Sequence, residues 1–191
     1  MPRVWFFYTV ILGMSFGQIL NQLATAIREW RTRPGQRPFV PVILWQVFLA
    51  VLTVQVWLAV TYYRKSLEEV SILQVAAFLA VPAGILIMSF LLPGPMVDDE
   101  GDASPEVDFA RVRPVFFGVL IAMVSVNLLH GFVIGEQGSD VDLLFQVLVI
   151  FGGIVGLFVR NPRAGAVLAA AMIAVLCTYI GVAYSSVSLA T

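Results

Sequence analysis

Charged residues divide this chain into six long uncharged stretches, 4–27, 38–63, 70–97, 114–135, 143–159 and 164–191. The hydrocarbon core of a bilayer is crossed by about 20 apolar residues in helical form, and each stretch comes close to or exceeds that length. Lipid offers no hydrogen-bond partner to a backbone, so a spanning segment must satisfy its own amides as a helix or close into a barrel. The ten-residue alternation that marks barrel strands is absent from the sequence. The expected fold class is therefore an all-α membrane protein, a six-transmembrane-helix bundle forming one domain over 1–191. Composition agrees: mean hydropathy is +0.93, and 12% of the residues are charged, about half the share in an ordinary soluble domain.

The connecting segments 28–37, 64–69, 98–113, 136–142 and 160–163 hold every charge except Arg3. Such short connections make sequential helices antiparallel and leave little room for an extramembrane domain. Arginine and lysine set orientation. One side carries Arg28, Arg31, Arg33, Arg37, Arg111, Arg113, Arg160 and Arg163, and the other Arg3, Arg64 and Lys65. The arginine-rich side is expected in the cytoplasm, with both termini periplasmic. Trp5 and Tyr62–Tyr63 sit where outer interfacial anchors belong, and Trp30 and Trp45 where inner ones do. Residues 1–26 end in an Ala-Thr-Ala that resembles a signal-peptide cleavage site, but cleavage there would put the first arginine cluster outside, so a first transmembrane helix is expected instead.

A net charge of −1 and the lack of a dense basic segment argue against nucleic acid as a partner. One cysteine, Cys177, and one histidine, His130, leave no intrachain disulfide and no cysteine- or histidine-built metal site within a single chain. No resident cofactor or metal is expected. No acidic or basic side chain lies inside any of the six stretches, which disfavours proton-coupled transport and acid–base catalysis within the membrane. The chain is expected not to be an enzyme. The acidic run from Asp98 to Asp108 lacks the ligand spacing of a calcium loop and is expected to be a solvated loop.

Polar residues inside the stretches are the candidate functional groups. Ser15, Gln18, Asn21 and Gln22 recur at helical spacing in the first stretch, Gln46 lies in the second, Asn127 and His130 share a face in the fourth, and Gln146 lies in the fifth. A buried amide without a partner costs several kcal/mol in hydrocarbon, so these groups must face protein or water. Two readings stay open: hydrogen-bonded contacts between helices, or the lining of a narrow pathway for a neutral or weakly solvated species. For His130 the alternatives are a hydrogen-bonded structural residue, a pH-responsive gate, or an axial ligand to a haem or chlorophyll-type pigment. Pro82 and Gly84 mark a bend or hinge in the third helix.

The halves 1–97 and 111–191 align faintly. Trp5-Phe6-Phe7 through Ser15 lies over Val115-Phe116-Phe117 through Ser125, and Leu44-Trp45-Gln46-Val47 over Leu144-Phe145-Gln146-Val147. Three helices per half would invert the second copy, a 3+3 inverted repeat found in transporters and some channels; chance similarity of apolar helices is the other reading. Gly13 and Gly17, Gly152 and Gly156, and Ala166, Ala170, Ala174 and Thr178 have the small-residue spacing of close helix packing, within one bundle or in a homo-oligomer.

At Trp45-Gln46, Gln55-Val56-Trp57 and Arg113-Pro114-Val115-Phe116-Phe117-Gly118 the chain resembles a loose group of small bacterial six-span inner-membrane proteins. The resemblance implies a bacterial inner-membrane location and carries no activity with it. Two functions are expected to compete: a passive channel or facilitator with an amide-lined interior, and an accessory or assembly subunit that meets a membrane-complex partner in the lipid bilayer.

Overall fold

The computed structural model describes residues 2–32, 38–63, 72–94, 104–134 and 139–184. They form six helices: α1 (Pro2–Thr32), α2 (Val40–Tyr63), α3 (Ile72–Leu91), α4 (Pro105–Ile134), α5 (Asp140–Phe158) and α6 (Pro162–Ala183). Every one is long and apolar enough to cross a membrane. At 1.5 Å per residue the shortest, α5 with 19 residues, runs about 29 Å. The chain is thus all-helical and built as a multi-pass membrane protein. Arg33, Arg37, Arg64, Lys65 and the acidic residues from Asp98 to Asp102 lie outside the described residues, as do the side chains of Arg3, Tyr62 and Tyr63.

Two helix starts show how local sequence sets the boundaries. Ser139 caps α5 by accepting the Asp142 amide, and the Asp142 carboxylate returns the bond to the Ser139 amide at 2.8 Å, a reciprocal arrangement that satisfies two otherwise orphan donors. Asn161 caps α6 by accepting the Arg163 amide at 2.9 Å, with Pro162 following where its missing N–H costs nothing.

The fourth helix corrects the expectation of a solvated loop through 113. It begins at Pro105 and takes in Glu106, Asp108, Arg111 and Arg113. Glu106 and Asp108 in the first turn suit the positive end of the helix dipole. Phe109 is buried, with its ring 6.5 Å from Phe39 and 6.4 Å from Phe116. An apolar ring that finds two partners beyond the uncharged stretch explains why the helix continues past it.

The helices close into a ring in the order α1, α2, α6, α5, α4, α3, with α2 also touching α3. All six contribute to one core. At its centre Trp45 lies edge-on to Phe48, Phe116 and Phe117, with centroids 5.3, 5.6 and 5.0 Å away, and the four rings are almost wholly buried. Such edge-to-face pairs add about 0.5–1.5 kcal/mol each beyond their burial. The two segments that carry the resemblance, around Trp45 and around Phe116-Phe117, therefore meet in the middle of the bundle.

Close approach accounts for several glycines. A side chain on Gly156 would collide with the Phe117 ring, and one on Gly84 would come within 2.9 Å of the Met123 sulfur. The α5–α4 and α3–α4 contacts need those positions bare. Gly13 and Gly17 meet nothing and face outward. The helix pairing is not two-fold: α1 packs on α3, whereas among the described residues α4 and α6 share no comparable interface.

Candidate functional site

The interior amides gather at two junctions at opposite ends of the bundle. At the arginine-rich end, the Gln46 amide of α2 donates to Gln22 Oε1 of α1 at 3.3 Å, and the Gln22 amide donates to the Ser89 carbonyl of α3 at 3.1 Å. Ser89 Oγ in turn donates to the Leu86 carbonyl at 2.7 Å. Gln46 and Ser89 are fully buried, and Gln46 Oε1 is left without a partner. One glutamine chain thus ties three helices together.

The Gln22–Gln46 pair sets the antiparallel register of α1 on α2. One turn deeper it brings Ile19 to the level of Leu49, both fully buried, and two turns deeper Ser15 to the level of Thr53. The Ser15 and Thr53 hydroxyls donate to the carbonyls of Ile11 and Leu49 in their own helices, at 2.8 and 2.7 Å. Polar groups along this seam are consequently separated by an apolar layer. Gln18 is half-buried and Asn21 exposed, and neither has a hydrogen-bond partner among the described residues.

At the opposite end, Asn127 of α4 donates to Gln146 Oε1 of α5 at 3.2 Å. Asn127 lies 14 residues from Arg113 on the same helix, about 21 Å along the axis, and it is exposed although it shares the helix face of buried Phe116, Leu120 and Met123. Asn21, expected among interior groups, faces outward, and Asn127 is exposed near the other end of the bundle. His130 follows one turn beyond Asn127, half-buried, with Nε2 enclosed and unpartnered. Among the described residues no hydrogen bond joins the first-half amides Gln22 and Gln46 to the second-half pair Asn127 and Gln146.

Beside the second junction lies a polar group for which no sequence reading was made. Tyr179 of α6 donates to Asp142 at 2.5 Å, while Ser139 Oγ donates to the other Asp142 oxygen at 3.0 Å. The Tyr179 ring stacks on Phe145 with centroids 4.2 Å apart. Tyr184 and the buried Gln55 extend the network to α2, and burial pushes the Tyr184 phenol above its ordinary value. The Ser139-x-x-Asp142 box is visible in sequence, but its link to Tyr179 depends on α5 and α6 packing together.

Helix α3 runs unbroken through Pro82, and Pro82 and Gly84 are both buried. At the arginine-rich end Arg113 reaches across to α5, where Nη1 donates to the Val159 carbonyl at 2.5 Å and Nε is buried without a partner. Among the described residues no three of His, Cys, Asp and Glu come together as a metal site would require, and Cys177 is exposed on α6. Compared with protein-family models, curated proteins and solved structures, the chain finds no significant match to any.

Proposed function

We propose that this chain is a non-enzymatic accessory or assembly subunit of a bacterial inner-membrane complex, with both termini periplasmic. The observation that carries the reading is the exposure of the Asn127–Gln146 pair where α4 meets α5. Asn127 has donor and acceptor capacity beyond its single bond, and at that depth lipid cannot use it. A neighbouring membrane helix can. Exposed Asn21 on α1 repeats the situation at the other end of the bundle, on the face that presents Gly13 and Gly17. The aromatic centre and the Ile19–Leu49 layer give the interior the character of a packed core.

The test is cross-linking in the native membrane. In a Cys177→Ser background, Asn127→Cys should give a discrete adduct of higher mass, while Trp57→Cys on the exposed face of α2 should not. No adduct from position 127, or equal labelling at both positions, would remove the reading. A passive facilitator keeps one observation in its favour, the unpartnered Gln46 Oε1 inside the bundle. Solute flux into liposomes that falls on Gln46→Leu would support it.

A further inference from the structure

We infer that the corner formed by α4 at Arg113 and the α5–α6 turn is a binding site for the phosphodiester headgroup of an anionic lipid. Arg113 is fastened to this corner by its bond to the Val159 carbonyl. Arg160 follows Val159 directly, and Arg163 stands in the first turn of α6. Three guanidinium groups are thereby gathered where three helices reach the membrane boundary, since the uncharged stretches begin or end at residues 114, 159 and 164. That is the level of lipid phosphates.

None of the three arginines forms an ion pair with a described residue. Arg113 retains an enclosed Nε with no acceptor, and Arg160 and Arg163 are exposed. Glu106 and Asp108, on α4 itself, lie more than a turn further from the membrane and leave the corner positive. Guanidinium groups bind phosphate oxygens in paired, charge-assisted hydrogen bonds, and basic pockets between transmembrane helices are suited to anionic headgroups.

The surface beneath the arginines fits the rest of a lipid. Phe158 of α5 and Val167 of α6 are 77% and 70% exposed, each within a few residues of Arg160 or Arg163. Charged groups above and open apolar groups below match a phosphate and its acyl chains. A soluble anion would use only the upper half.

Native mass spectrometry of the full chain, released from mixed micelles of phosphatidylglycerol and phosphatidylcholine, tests the site. The wild-type protein should retain phosphatidylglycerol in preference. Arg160→Gln with Arg163→Gln should weaken that retention by about thirtyfold, while Arg28→Gln with Arg31→Gln on α1 should change it little. Millimolar inorganic phosphate should not displace the lipid. Equal retention of both lipids, an unchanged Arg160/Arg163 variant, an equal loss in the α1 variant, or displacement by phosphate would each overturn the assignment. None of these readouts depends on whether cross-linking at position 127 succeeds.

Discussion

The two amide junctions use the same chemistry in opposite surroundings. Gln22 and Gln46 are enclosed by α1, α2 and α3, and the chain of bonds ends on a backbone carbonyl. Asn127 and Gln146 form one bond on an open face. A buried amide pair holds helices of one molecule together and loses heavily when either partner is removed, because the survivor is stranded. An exposed pair in lipid contributes little to its own bundle and leaves valences for another helix. The first junction is thus internal structure, and the second is the candidate contact.

Opening the aromatic cluster should have the largest effect. Phe117→Ala takes a ring from the Trp45 cluster and from its contact with Gly156, and should cost about 3–5 kcal/mol in a micelle unfolding assay. Next, Gln22→Leu should cost about 2–3 kcal/mol, since it strands the Gln46 amide and removes the donor to the Ser89 carbonyl. Adding Gln46→Leu should recover part of that loss, because two apolar groups strand nothing. A double variant weaker than Gln22→Leu alone would break the account of the first junction. Asn127→Leu should change the stability of the isolated bundle by less than about 1 kcal/mol in the same assay.

The smallest effect sharpens the contrast between the two ends. Amides do not titrate, but the opposite end is tied through Tyr184, whose phenol is raised by burial. The sign is that of a neutral form favoured by folding: stability is fully present below the unfolded phenol value of about 10 and declines as pH rises above it. Tyr184→Phe should make that alkaline decline shallower in a thermal scan.

Much of the fold was legible because the membrane imposes a rule on every residue of a span. Six uncharged stretches became six helices. The start of α4 was missed because charge density was read as solvent, whereas Phe109 has ring partners in Phe39, just before α2, and in Phe116, further along α4. The faint repeat suggested equivalent halves, but likeness along the chain says nothing about which helices become neighbours, and the pairing is not two-fold. Amide positions were readable by their scarcity, though not their exposure. Gln22 and Asn21 are adjacent in the chain, and a 100° turn of the helix sends one inward and the other out.

The order of charged and uncharged residues by itself determined that this chain makes six membrane-spanning helices, because hydrocarbon excludes unpaired backbone groups wherever they occur. Only the tertiary structure decided that Trp45 would meet Phe116 and Phe117, that Gln46 would reach Gln22, and that Asn127 would stay at the surface. Those outcomes depend on which helix faces approach one another, and that is settled by the packing of all six helices together.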